Sequence, residues 1–531
     1  MALTHSATPS EPEDRGRHFT AYTVFIFILA CFGTISFAYS GGVIGSTIGQ
    51  PSFIEYMGLD TNPNASALLG AATSLYYAGG FFGALFSNWI SDRFGRKVAI
   101  GSGVLLILLS SALTAGSVNI AMFIVFRCMC GWGALMVSMS VPLWIMECAP
   151  PNVRGAFAQF HGVGVNIGYL VASYVGIGFF YDKDGGNAMW RGPLAIGCVP
   201  CLVLLVGLWW LPESPRYLLM KGRDDDAWKV MGKLHSTTNA KENEYVQKEM
   251  FQMTRQIELD RTLPSSWLEI FRRPSYRKRM GMAIFVVFAI NSSGSQIIGI
   301  YSTTLFEQLG FNPSTQLFLF AGLWSCNLLF TTSCIFYTEK FRRPTMISFG
   351  LCILLATTIC YTALSATYIN STNRAGKIAA VSMTYIFLAA YSGSVEGPFY
   401  YYGAEFFPTH LRAKGMALQA TTFSWSSIMW AQSGSTGLKN IGWKYFIVFI
   451  IITFFSIIII YFWFPDTKGR SLEEVAALFG DEDLVVVYQR DIHIDAENHK
   501  IVANVNNVPG TEGKETVVKE LPVEIIENSR H

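Results

Sequence analysis

The sequence predicts an all-α membrane protein that crosses the bilayer many times and is built from two similar halves. Three observations lead there. Charged residues are 14% of 531 positions and hydrophobic residues 51%, whereas a soluble chain carries about 25% charged residues. Apolar runs of about 20 residues, the length a bilayer core demands, recur on both sides of one long polar stretch, Leu211 to Met280. Short motifs also repeat. Glu147, Pro150, Arg154 and Gly155 in the first half are echoed by Glu405, Pro408, Arg412 and Gly415 in the second, with the same Glu-to-Pro and Glu-to-Arg spacings. Pro212-Glu213-Ser214 returns as Pro465-Asp466-Thr467, each just after the last apolar run of its half. Random clustering of charge in loops would not keep two spacings in register; duplication does.

Taken in order, the chain opens with a polar head, residues 1–18, without the short apolar core and small-residue cleavage site of a signal peptide. The first bundle, 19–211, holds apolar cores at 20–40, 67–90, 98–117, 120–144, 155–178 and 192–211. A polar linker, 212–280, runs from Pro212-Glu213-Ser214-Pro215-Arg216 to the basic cluster Arg272, Arg273, Arg277, Lys278 and Arg279. The second bundle, 281–465, holds cores at 281–306, 315–336, 346–366, 377–402, 413–436 and 445–464, the last without one charge. The tail, 466–531, reads as a short helix started by the capping pattern Ser471-Leu472-Glu473-Glu474, then disorder.

Lysine and arginine in short loops set the orientation. The loop after span two carries Arg93, Arg96 and Lys97, and that after span eight carries Lys340, Arg342 and Arg343. The loop after span one has only Glu55 and Asp60, and that after span three has no charge. Even-numbered spans therefore end in the cytosol, as do both termini and the linker, and the membrane expected is the plasma membrane. The sequons at Asn64 and Asn370 then fall outside, as glycosylation requires; a third match, at Asn291, lies within a span.

A formal charge of +2 gives no argument for nucleic acid. Most of the ten cysteines sit within apolar runs as small core residues. No P-loop, metal-ligand spacing or Ser/His/Asp set is present, so no enzyme, cofactor or metal is expected. The partners expected are a small-molecule solute and the bilayer, with a monomer sufficient.

With Asp92-Arg93-Phe94-Gly95-Arg96-Lys97 joining spans two and three, and Pro465-Asp466-Thr467-Lys468-Gly469-Arg470 closing span twelve, the motifs above make residues 20–480 resemble the sugar porter family of the major facilitator superfamily. The likeness is greatest to fungal members. It implies the major facilitator fold: two six-helix bundles, twelve transmembrane helices in all, with a cytosolic helical linker and one substrate site between the bundles. It also implies a cytosolic gate of Asp92, Arg96, Glu147, Arg154, Glu213, Glu405 and Arg412, whose ion pairs, if exposed, are worth about 0–1 kcal/mol each and break readily. Asn88 and the glycine-free copy Glu339-Lys340-Phe341-Arg342-Arg343 depart from the family pattern.

The stretch where the family binds sugar hydroxyls reads Asn291-Ser292-Ser293-Gly294-Ser295-Gln296 here, and span ten reads Glu396-Gly397-Pro398-Phe399-Tyr400. Amide, hydroxyl and aromatic partners for a sugar are expected from Asn291, Ser293, Gln296, Asn327, Tyr400 and Trp425, with Glu396 and His161 as further candidates, against the alternative that these residues only pack helix on helix. His161 reads more readily as a packed histidine. Proton-coupled members carry an Asp in span one facing an Arg of span four. Here Phe37-Ala38-Tyr39-Ser40-Gly41 lacks the acid while Arg127 remains, which points to facilitative movement of a sugar-like solute. The alternatives are a non-sugar polar metabolite with proton coupling through Glu396, and a sugar sensor that does not transport.

Overall fold

The computed structural model describes residues 21–48, 50–149, 154–182, 186–235, 244–262, 266–337, 340–407, 409–467, 479, 492–495, 500–505 and 515–520. The polar head and the expected capped helix at Ser471 lie outside them. Eleven described helices are long and apolar enough to cross a membrane. Spans one to six are Ala21–Ile48, Ala65–Phe94, Arg96–Ala115, Ile120–Cys148, Phe160–Phe180 and Ala188–Gly207. Spans seven to ten are Pro274–Gln308, Pro313–Cys334, Arg343–Tyr368 and Arg374–Phe399, and span twelve is Gly442–Trp463. Span eleven, Thr409–Asn440, has 32 residues but is too rich in Ser, Thr and Gln to qualify on apolarity. It tolerates them because it is enclosed by protein: Thr422, Ser424, Ser426 and Ser427 are buried. The hydroxyls of Ser424 and Ser426 donate to the Ala420 and Thr422 carbonyls of the preceding turn, 2.8 and 2.7 Å away.

Helices approach closely where side chains vanish. Gly79 and Gly83 of span two lie against the Cys128 and Trp132 carbonyls of span four, and Gly131 of span four lies against the Tyr76 carbonyl. A Cβ at any of the three would overlap backbone. Small residues spaced by four let two helices meet backbone to backbone in a bilayer.

Spans seven and ten are each broken by a π-helical turn, Asn291–Ser295 and Tyr391–Val395. The runs Asn-Ser-Ser-Gly-Ser and Tyr-Ser-Gly-Ser-Val are weak helix formers. Gly294, at φ +98°, takes a left-handed conformation that favours glycine. Ser293 and Ser392 repair the ladder by donating to the Ile290 and Leu388 carbonyls, 2.8 and 2.9 Å away.

The linker contains helices Pro215–Met220, Asp224–His235, Glu244–Thr262 and Trp267–Arg272. Ser214 and Ser266 cap two of them, accepting from the Tyr217 and Glu269 amides. Leu218, Ala227, Met231 and Met250 give the linker an apolar core of its own. Span seven starts at Pro274, ahead of the apolar run, so Arg277, Lys278 and Arg279 of the basic cluster ride its first turns, while Arg272 ends the last linker helix.

The tail departs from the expected disorder. Strands β1 (Ile492–Asp495), β2 (Lys500–Val505) and β3 (Glu515–Glu520) form an antiparallel meander in the order β1-β2-β3, with Val502 opposite His493 and Val518. Short alternating stretches such as Ile492-His493-Ile494 supply the strand pattern within a polar tail.

Gly131→Ala is expected to destabilise the protein by about 1–3 kcal/mol, because the new methyl must push backbone apart. Gly178→Ala, with nothing within 4 Å of the added carbon, should leave stability within about 0.5 kcal/mol. Thermal unfolding of the two purified variants in one detergent decides the matter; equal midpoints would mean that the span two–span four contact is looser than described.

Candidate functional site

A cavity of about 90 Å³ lies between the two halves, lined by Phe37, Tyr77 and Tyr169 from the first and by Gln296, Trp324, Asn327, Tyr391, Glu396 and Phe423 from the second. Gln296 and Glu396 each follow a π turn directly. The cavity is smaller than the ~300 Å³ at which ligand pockets begin, and the halves also touch on either side of it. On the face away from the linker, Tyr181 hydrogen-bonds Ser314 at 2.6 Å and Tyr174 hydrogen-bonds Ser325 at 3.2 Å. On the linker face, Leu143 and Met416 pack together with Met139 and Met146.

A polar clasp crosses the cavity wall. Asn166 of span five donates to both oxygens of Glu396, 3.0 and 3.1 Å away, and to the Thr331 hydroxyl at 3.0 Å. Thr331 of span eight donates to Glu396 Oε2 at 3.1 Å, and Asn327 donates to Asn166 Oδ1. All four residues are buried, Glu396 at 4% exposure. Among the described residues no basic side chain pairs with Glu396; neutral amides and a hydroxyl hold it. Beside them Tyr169 and Trp324 stack across the halves, with centroids 4.2 Å apart and planes 10° apart. Two buried atoms in this wall, Trp324 Nε1 and Asn327 Oδ1, have no hydrogen-bond partner among the described residues.

The other expected site residues divide. Gln296 reaches the cavity, donating to Asn291 Oδ1 at 2.7 Å and accepting from Tyr77 at 3.4 Å. Asn291 turns its amide to span eleven, bonding Ser426 and Ser427 at 2.6 and 3.0 Å. Ser293 is spent on its own helix, as above. His161 is buried against Thr34, 3.0 Å from its hydroxyl, away from the cavity lining. Trp425 stacks on Phe288 at 5.5 Å and is 41% exposed on the bundle surface, not in the cavity. The side chain of Tyr400 lies outside the described residues.

Arg127 is 2% exposed. Its Nη1 donates to the Ser40 carbonyl at 2.5 Å and its guanidinium sits 4.5 Å over the Tyr76 ring, a cation–π placement. Ser40 hydrogen-bonds Tyr76 at 3.0 Å. Among the described residues no carboxylate pairs with Arg127, and its Nε has no partner.

At the linker face Arg96 is gripped from several sides. Glu147 takes it in a two-point pair, 2.9 Å for each contact; the Ser91 carbonyl accepts from Nη1 at 3.0 Å; and Asp92 lies 3.8 Å away. The Glu213 carboxylate accepts from the Arg96 amide at 2.9 Å and the Lys97 amide at 3.3 Å. Glu213 lies outside the spans, and burial raises its carboxyl pKa against the opposing pull of those amides. The expectation of exposed pairs needs correcting for Arg96–Glu147, whose side chains are 5% and 9% exposed. The second half repeats the plan. Asp466 accepts from the Arg343 amide at 3.3 Å as Glu213 does from Arg96. Tyr402 donates to the Pro465 carbonyl at 2.6 Å as Trp144 does to that of Pro212 at 2.9 Å. Arg342 pairs with Asp466 at 2.9 Å but is 70% exposed. Arg412 is buried at the start of span eleven; the side chains of Arg154 and Glu405 lie outside the described residues. Asn64 and Asn370 are both exposed on the opposite face.

Asn166 and Thr331 are absent from the sequence-based expectation. A lone Asn among apolar neighbours, Val165-Asn166-Ile167, was the available signal; Thr331 gave none.

Comparison with known proteins follows the same lines. The family model described as sugar (and other) transporter matches residues 26–479. The MFS-type transporter criB of Aspergillus cristatus is 29% identical over 461 residues, 86% of this chain and 93% of that one. The high-affinity glucose transporter of Kluyveromyces lactis is 27% identical over 483 residues, 87% and 86% of the two chains. The solved proton:xylose symporter XylE bound to 6-bromo-6-deoxy-D-glucose matches with a TM-score of 0.74 at 21% identity, covering 86% of this chain and 99% of that one. This last likeness is one of fold.

Glu147→Ala is expected to cost roughly 3–5 kcal/mol, since it leaves the buried Arg96 charge without its main partner. Arg342→Ala breaks an exposed pair and should cost under about 1 kcal/mol. Chemical denaturation of both variants in detergent tests the contrast, and a mild Glu147→Ala would mean that Asp92 moves in to replace the lost carboxylate.

Proposed function

The chain belongs to the sugar transporter family, and from that premise we propose that it carries an uncharged sugar or sugar-like polyol down its gradient by alternating access. The observation that carries the reading is the cavity itself: amides of Gln296 and Asn327 beside the stacked rings of Tyr169 and Trp324, enclosed between two halves that each end in a carboxylate-tied knot. Such a set offers donors, acceptors and flat apolar faces, the complement of a sugar ring. The protein is a multi-pass membrane protein. The basic loops favour an orientation with both termini and the linker cytosolic, and the plasma membrane is the membrane proposed.

In the transport cycle the clasp and the knots have opposite duties. The Asn166–Glu396 contact joins the halves at mid-membrane and must part as either side opens. The Arg96–Glu147–Glu213 knot ties spans three and four to the linker within one half. It serves as the rigid end against which the other half moves, with Arg154, Glu405 and Arg412 proposed as its gating partners.

Passive movement follows from Ser40, a group that cannot exchange a proton near neutral pH, opposite Arg127. A second reading has one observation in its favour: Glu396 is a buried carboxylate held across the two halves, so a proton gained or lost there would alter their contact. Uptake of labelled sugars, polyols and organic acids in transporter-deficient cells, with and without an uncoupler, tests the proposal. Sugar uptake that survives the uncoupler supports it. Uptake of acids alone would overturn it, and zero flux for every compound would favour a sensor.

Two results are expected from variants. Gln296→Ala and Asn327→Ala should each weaken binding of the transported solute by about 1–3 kcal/mol, the cost of leaving a buried partner unpaired; calorimetry on purified protein measures this, and unchanged affinity in both would make these amides packing residues. Solute addition should leave the external pH of cells expressing the parent unchanged. Alkalinisation that vanishes in Glu396→Gln would reject passive transport and assign the proton to Glu396.

A further inference from the structure

A second and larger hollow lies on the surface of the second half. It is a crevice of about 780 Å³ between spans eight, nine and ten. Phe349 and Ile386 on its walls are 64% and 46% exposed, as lipid-facing residues of spanning helices are. Three of its hydroxyls are already used: that of Tyr337 donates to the Gly393 carbonyl at 2.5 Å, Tyr385 to the Leu319 carbonyl at 2.8 Å, and Ser394 to the Ala390 carbonyl at 2.6 Å. Apart from Thr345 and Cys326, the rest of the lining is apolar or glycine.

The crevice has the length of one leaflet. From Tyr385 to Ser394 along span ten it rises nine helical steps, about 13.5 Å at 1.5 Å each, close to the roughly 15 Å of hydrocarbon that one leaflet contributes. It ends at Phe341 on the linker face. Phe341 is flanked in the chain by Lys340 and Arg342, both exposed; Arg342 gives its Nε to Asp466 and, at 70% exposure, leaves its outer face to solvent. Apolar walls one leaflet long, with basic residues at the headgroup level, match an anionic phospholipid in both of its parts.

We propose that this crevice binds one anionic phospholipid of the cytosolic leaflet, an acyl chain filling it and the headgroup held at Lys340 and Arg342. The floor is formed by Gly393 and Ser394, which belong to the π turn just before Glu396. The bound chain therefore lies against the outer side of the turn whose inner end carries Glu396 into the central cavity. The inference goes beyond transport and needs only that the linker face is cytosolic.

The test counts retained lipid, so it stands or falls independently of any transported solute. The full chain is reconstituted in vesicles of phosphatidylcholine and phosphatidylserine, extracted, and weighed by native mass spectrometry. The parent should retain one phospholipid, with phosphatidylserine enriched several-fold over its share of the vesicle. Ala389→Trp, which fills the crevice, should lose it, and Lys340→Gln with Arg342→Gln should keep a lipid but lose the headgroup preference. Should Ala389→Trp fail to give monodisperse protein, Ala389→Leu decides by a partial loss. A parent that keeps no lipid, or a folded Ala389 variant that keeps as much as the parent, leaves only freely exchanging bilayer lipid and overturns the proposal. A double variant with intact preference overturns the headgroup assignment, and a lipid-free dimer mass would give the crevice to a second copy.

Discussion

Hydrocarbon cannot hydrogen-bond, so every peptide group that crosses it must be satisfied within the protein. That constraint orders the rest of the molecule. It forces each crossing into a helix, and it permits a broken helix only where other protein shields the break. Spans seven and ten are broken at such places, and serines mend the exposed carbonyls locally. The breaks are what allow Gln296 and Glu396 to stand at the start of a new helical segment, facing the cavity. The irregularity and the polar centre are therefore one feature.

The internal duplication survives as chemistry more than as sequence. Pro212 and Pro465 accept hydrogen bonds from Trp144 and Tyr402, different side chains doing the same thing three residues before Glu147 and Glu405. Glu213 and Asp466 accept from the amides of Arg96 and Arg343, at the starts of spans three and nine. The equivalent arginines, Arg96 and Arg343, are both buried. The halves differ one position earlier, where Gly95 in the first is replaced by the exposed Arg342 in the second, which adds an ion pair to Asp466.

Much of this was legible in the sequence, and what was missed has definite causes. Hydropathy located the spans because a bilayer punishes charge so heavily. The repeated Glu, Pro and Arg spacings located the helix ends at which the knots form. Rotation of a helix about its axis was less readable. Span eleven carries Ser, Thr and Gln on several faces, so nothing in its pattern told that Trp425 points outward to Phe288. Asn291 and Gln296 stand in one short motif, yet a π turn sends one amide to span eleven and the other to the cavity. Asn166 went unnoticed since its role depends on a carboxylate 230 positions away. The tail's strands were hidden by a polar composition that masks short alternating runs.

The unpartnered Trp324 Nε1 and Asn327 Oδ1 bear on what the cavity accepts. One is a donor and the other an acceptor, buried together in a wall otherwise rich in rings. Water serves both kinds of partner, and any solute that replaces it must do the same or forfeit those bonds. A hydroxyl group both gives and takes a hydrogen bond; a methyl group does neither and a carboxylate only takes. Selection at this wall is thus a matter of imitating water: the cavity exchanges solvent most readily for a molecule whose rim bonds as solvent does.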